Sequence, residues 1–125
     1  IGFYLQSILF YRGTKIACGE DISWKTIERR IEGAVLSDFV IVIFNPQSKD
    51  RNWQLKRAIE IILGSRDCST PVLLARQVGR DKQTTKFYTL SSIPFEEVDM
   101  LTLIIVGNST TKLIDNVLIS PRGYL

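Results

Sequence analysis

Histidine is missing from the 125 residues, and cysteine is limited to Cys18 and Cys68. Without histidine, neither a Ser/His/Asp triad nor a histidine-bearing zinc site can be assembled within the chain. The two isolated thiols have no metal-ligand spacing, so no metal is expected, and they read as the reduced cysteines of a cytoplasmic protein. Long hydrophobic runs are also lacking. No stretch reaches the roughly 18 apolar residues that cross a bilayer, so no membrane partner is expected. The apolar opening, Ile1 to Tyr11, has no basic n-region and no small-residue cleavage site. It begins without Met or a capped element and reads as a segment of a longer chain. Charge is not gathered by sign: net charge is only +3, Arg29 and Arg30 sit beside Glu28 and Glu32, and Lys56 and Arg57 lie near Glu60. No basic stripe interleaved with aromatics is present, so no nucleic acid partner is expected. A glycine-rich phosphate loop is missing too, which argues against an ordinary nucleotide-binding α/β domain.

What is present is an alternation of helical and strand patterns sized for one domain. Trp24, Ile27, Ile31 and Val35 recur at helical spacing, with Ser23 as N-cap. Phe39 to Phe44 follows as a strand buried on both faces, ended by Asn45-Pro46 because proline cannot donate to a ladder. After the polar stretch Gln47 to Asn52, Leu55, Ala58, Ile59 and Ile62 mark one face of a second helix, with Gly64 placed to end it. Pro71 opens a strand over Val72 to Ala75, a polar loop runs from Arg76 through Thr85, and Phe87 to Leu90 is a short strand. Ser92-Ile-Pro-Phe-Glu-Glu reads as one capped helical turn with acids at its start. Leu101 to Val106 is the last long apolar strand, ended by Gly107-Asn108. Asp115-Asn116 between Lys112–Ile114 and Val117–Ile119 is a two-residue hairpin signal. The pattern predicts an α/β fold, with a mixed, mostly parallel sheet flanked by helices. Several strand ends coincide with polar loops, where open α/β sheets tend to bind ligands.

Four strings are more specific than periodicity. They are Ser37-Asp-Phe-Val-Ile-Val-Ile-Phe-Asn-Pro-Gln-Ser-Lys-Asp-Arg-Asn-Trp-Gln-Leu, Thr70-Pro-Val-Leu-Leu-Ala-Arg-Gln-Val-Gly-Arg, Glu97-Val-Asp-Met-Leu-Thr-Leu-Ile-Ile-Val-Gly-Asn-Ser and Pro121-Arg-Gly-Tyr. In this order and spacing they resemble the C-terminal domain of the tetrapyrrole methylase family, most closely its branch that methylates C17 of precorrin-3B or the cobalt form with ring contraction. The likeness runs from Ile22 to Tyr124 and assigns 1–21 to a diverged inter-domain segment with the first strand, and 22–125 to the domain itself. It implies a two-domain, cytoplasmic methyltransferase of cobalamin biosynthesis, in which S-adenosylmethionine lies between an N-terminal and a C-terminal domain and the tetrapyrrole substrate occupies an adjoining trough. A homodimer is implied for the full-length enzyme. The family's glycine-rich start and Gly-Asp-Pro loop belong to the N-terminal domain, so this portion by itself is expected to be inactive.

The resemblance implies Asn45, Gln77, Val78, Gly79 and Thr102 as cofactor-binding residues, with Met100 nearby. Glycine at position 79 permits close backbone approach to a ligand. Lys49, Arg51 and Arg80, with Arg122 as a further candidate, are implied partners for the acetate and propionate arms of the substrate, because guanidinium forks match carboxylates. Trp24 and Trp53 read as core or staple residues, and Asn108 as a turn cap or a site residue. No catalytic acid or base is assigned, since methyl transfer from a sulfonium depends chiefly on alignment. The chain departs from the family at Ala17-Cys-Gly-Glu, at Gln77 in place of Asn, and over Ile1 to Tyr11. The alternative is a diverged, non-catalytic remnant or interaction module of the same fold.

Overall fold

The computed structural model describes residues 7–10, 24–44 and 53–121. Its elements in chain order are β1 (Ser7–Phe10), α1 (Trp24–Leu36), β2 (Val40–Phe44), α2 (Gln54–Leu63), β3 (Pro71–Arg76), β4 (Thr84–Thr89), a single 3-10 turn (Phe95–Glu97), β5 (Thr102–Val106), β6 (Lys112–Ile114) and β7 (Val117–Ile119). The first five strands to join form one sheet in the order β1-β2-β5-β3-β4, while β6 and β7 pair separately. No helix among the described residues is long and apolar enough to cross a membrane.

One face of the sheet carries the core. Register aligns Ile41 with Val106 and Val72, and Ile43 with Ile104 and Leu74. Both helices pack on these rows through Ile27, Ile31, Ala34 and Val35 of α1 and Leu55, Ala58, Ile59 and Ile62 of α2. Alternation of side chains along a strand makes this possible with so few residues, since every second position faces the helices. Ile41, Ile43, Ile104, Val72 and Val106 are all fully enclosed, each contributing roughly 2–3 kcal/mol by leaving water. Across the opposite face, Val42, Ile105, Leu73 and Phe87 line up strand by strand and are only half-buried.

The sheet is not mostly parallel. β1 and β2 are parallel, whereas β2–β5, β3–β5 and β3–β4 are antiparallel. The helical crossover through α2 does deliver β2 and β3 running the same way. However, β5 returns between them and takes both of their inner edges. The apolar runs of β2 and β5 signal central strands, but an apolar run has no direction, and either ladder type satisfies it. β4 is also longer than the Phe87–Leu90 strand read from sequence, beginning at Thr84. Its β-branched threonines extend the hairpin ladder to Arg76 opposite Thr84.

Of two helix-end expectations, the one at Gly64 holds and the one at Ser92 is corrected. Gly64 ends α2 with φ −63°, a right-handed conformation, its N–H bonding back into the last turn. Ser92 does not cap the 3-10 turn. Its Oγ instead accepts the Thr89 N–H at 2.9 Å and so closes the end of β4. Ser23, the proposed cap of α1, lies outside the described residues. The hairpin at Asp115-Asn116 has both residues left-handed, φ 50° and 62°, with Ile114 opposite Val117. This is the type I′ geometry that Asp-Asn favours.

Candidate functional site

The C-terminal ends of β2 and β3 and the N-terminal end of β5 meet at one edge of the sheet. There Phe44 pairs with Leu103, Ala75 with Leu103, and Arg76 with Thr102. Because α2 carries the chain back from β2, its first turn lies toward this same edge. Of the residues implied as cofactor-binding, Gln77, Val78, Gly79 and Thr102 are brought together here, and Arg80 follows in the same loop. Asn45, Lys49, Arg51 and Arg122 lie outside the described residues.

The loop after β3 turns because Gln77 adopts φ 56° and Gly79 φ 81°. Gln77 donates its N–H to the Leu101 carbonyl at 3.1 Å, and Arg80 donates to the Gln77 carbonyl at 3.0 Å. The Gly79 N–H donates to Gln83 Oε1 at 2.7 Å. Space is not what position 79 requires, since a Cβ placed there meets nothing within 4 Å. The conformation is what favours glycine.

Beside this loop lies the turn before β5, bonded to it through Gln77 and Leu101. Asp99 Oδ2 accepts Arg76 Nε at 3.1 Å and Nη2 at 2.7 Å. Asp99 Oδ1 accepts the Leu101 N–H at 2.9 Å and the Thr102 hydroxyl at 3.1 Å. Thr102 is buried and its oxygen also accepts the Asp99 N–H at 3.1 Å. Thr102 thus faces the helix layer, and its hydroxyl is taken up within the turn. Met100 and Leu101, in contrast, are exposed. The Arg76 guanidinium holds the Asp99 carboxyl below the usual carboxylate range, aided by the Leu101 amide and Thr102 hydroxyl and opposed by partial burial. A depressed folded-state pKa means that the stabilisation is present above the ordinary value of about 3.9 and is lost as pH falls through the lower one. The amide resonance of Leu101, followed from pH 6 to pH 2, is therefore expected to shift with a midpoint below about 3.9. A midpoint at or above that value would contradict the geometry.

At the nearby edge of the helix layer, side chains link the starts of α1 and α2. Trp24 and Trp53 meet edge to face at 5.2 Å. The Trp24 indole N–H donates to Glu28, and Arg57 binds the same carboxylate at 3.2 Å. Trp53, half-exposed at 52%, is not a core residue. Arg76 and Asp99 escaped the sequence reading, as they lie 23 positions apart. Only the local Asp-x-x-Thr spacing of a side-chain-closed turn was there to be found.

No family model matches the sequence. The chain is 44% identical over 101 residues to the probable cobalt-factor III C(17)-methyltransferase of Salmonella typhimurium, a match covering 81% of this chain and 42% of that protein. It is 41% identical over 101 residues to the cobalt-factor III methyltransferase of Priestia megaterium, covering 81% and 19%. With the precorrin-3B C(17)-methyltransferase of Sinorhizobium it shares 32% identity over 106 residues, covering 81% and 42%. The crystal structure of the methyltransferase CobJ superposes with a TM-score of 0.77 at 26% identity, covering 92% of this chain and 45% of that one. The chain spans less than half the length of these relatives. Its fold is that of part of the methyltransferase CobJ. More particularly, it is a homologue of the precorrin-3B and cobalt-factor III C(17)-methyltransferases of cobalamin biosynthesis.

Proposed function

We propose that residues 22–125 are the C-terminal half of an S-adenosylmethionine-dependent precorrin-3B or cobalt-precorrin-3 C(17)-methyltransferase, with 1–21 as its inter-domain segment and first strand. The observation that carries this reading is the state of the strand tips. Phe44, Val78, Met100 and Leu101 are exposed, from 38% to 58%, at the edge where the loops converge. Four large apolar side chains left on one rim favour a crevice wall over a surface closed on itself. An N-terminal domain of the same parent would supply the opposite wall, and the full-length enzyme would be a cytoplasmic homodimer.

The chemistry expected of this half is positioning. The donor brings a methyl group already activated by sulfonium charge, so the protein's part is to align it and exclude water. Asn45 and the backbone of Gln77, Val78 and Gly79 would hold the donor, with Thr102 fixing the turn beside them. The left-handed loop fits a ligand approached by main-chain groups, and the apolar rim fits an adenine face. Lys49, Arg51 and Arg80 would pair with the carboxylate arms of the tetrapyrrole.

Methyl transfer by the full-length parent, supplied with S-adenosylmethionine and either precorrin-3B or its cobalt form, tests the reading. Turnover of neither substrate would overturn it. In the same protein, Asn45→Ala is expected to weaken donor binding about tenfold, the worth of a hydrogen bond or two. Calorimetric titration giving an unchanged affinity would remove Asn45 from the site.

A further inference from the structure

The Asp99 carboxylate gathers donors from both sides of the candidate site. Arg76 closes β3, Thr102 opens β5, and the two are cross-strand partners. Both bind Asp99, which also takes the Leu101 N–H. The carbonyl of the same Leu101 accepts the Gln77 N–H, the bond from which the left-handed loop starts. The chain of contacts thus runs from Arg76 through Asp99 and Leu101 to Gln77. It joins the two loops that the proposed donor would lie against.

This arrangement is poorly suited to holding up the core. The side chains of Arg76 and Asp99 are 42% and 44% exposed, and pairs in water add little to stability. Their geometry is more informative than their strength. Two guanidinium nitrogens converge on one carboxylate oxygen while the other oxygen takes the Leu101 N–H and the Thr102 hydroxyl, so the pair ties the end of β3 to the turn before β5. Resting on the donor-site reading above, we propose that Arg76 and Asp99 are positioning residues: a clasp that sets the spacing of the 77–80 loop and the 99–102 turn, and through it the affinity for the methyl donor. Neither side chain need touch the donor.

The test uses the full-length protein and S-adenosylhomocysteine, the demethylated donor, as calorimetric probe. Arg76→Gln and Asp99→Asn are each expected to weaken binding about tenfold, with the thermal midpoint nearly unchanged. Arg76→Lys, which keeps the charge but not the two-nitrogen contact, should fall between them and the wild type. In steady-state kinetics the donor KM should rise while the tetrapyrrole KM and the rate at saturating donor hold. Folded variants that bind the probe as tightly as wild type would overturn the clasp. Should Asp99→Asn fail to fold, Arg76→Gln, which disturbs only an exposed pair, decides the same question. A wild-type protein with no affinity for the probe would instead sink the donor-site reading itself.

Discussion

Gly107→Ala is expected to cost about 2–3 kcal/mol of stability, the range for overpacking a site that cannot yield. A Cβ at position 107 would lie 2.6 Å from Thr111 Cβ, 2.7 Å from its Cγ2 and 2.9 Å from its Oγ1. Neither side has room to move. Gly107 donates to the Pro71 carbonyl at 2.9 Å and accepts from buried Arg66 Nη1 at 2.9 Å. Thr111 is itself buried, and its hydroxyl accepts the Asn108 N–H at 2.8 Å and pairs with Ser120 Oγ at 2.6 Å. Gly33 is the matched control: it lies within α1, and a Cβ there meets nothing within 4 Å. Gly33→Ala should therefore stabilise by about 0.5–1 kcal/mol through helix propensity alone. Urea midpoints for the two variants should move in opposite directions. Equal shifts would mean that the close approach at Gly107 is not what the residue is for.

The second large effect is expected from Asn108→Ala, a loss of about 2–4 kcal/mol on the scale of stranding buried polar groups. The Asn108 amide nitrogen donates to the Asp38 carbonyl at 3.0 Å. Its Oδ1 accepts the Thr110 N–H at 3.0 Å, the Thr110 hydroxyl at 2.9 Å and the Thr111 hydroxyl at 3.0 Å. The residue is buried, so water cannot readily replace these partners. Asp38, left-handed at φ 59°, also accepts from the Ser109 amide at 2.9 Å and from its hydroxyl. Burial raises the Asp38 pKa, but these bonds and the charge of Arg66, 4.0 Å away, bring it below the usual range. One side chain thus ties the end of α1 to the end of β5, at the edge of the sheet opposite the candidate site. Denaturant titration of Asn108→Ala with an unchanged midpoint would deny it that role.

Local features were the ones legible in the residues. The stripe of Trp24, Ile27, Ile31 and Val35 became α1, the four apolar residues from Leu55 to Ile62 became the buried face of α2, and Asp115-Asn116 became the hairpin turn. Each is settled by spacing within a few residues. That Gln77 to Gly79 and Met100 to Thr102 share a site was implied by the family resemblance alone, since in a mostly parallel sheet the end of β3 and the start of β5 would lie at opposite edges. The Arg76–Asp99 clasp and the Asp38–Arg66–Asn108 corner were not legible. Their partners are brought together by strand order, and a charged residue's partner has no signature in its own neighbourhood.

By itself, the sequence determined most of the helical and strand segments, the apolar face of each helix, and which family the chain resembles. All of these depend on side chains a turn or a pleat apart, or on strings read in order. It read the Phe39 to Phe44 strand as buried on both faces, whereas only alternate residues of β2 are buried. Only the tertiary structure decided that β5 lies between β2 and β3, and hence that most of the ladders are antiparallel. An apolar strand is equally satisfied by neighbours of either direction, so the choice rests on how the whole chain closes its core. The same closure set Thr102 inward with its hydroxyl spent on Asp99 and left Met100 and Leu101 on the rim.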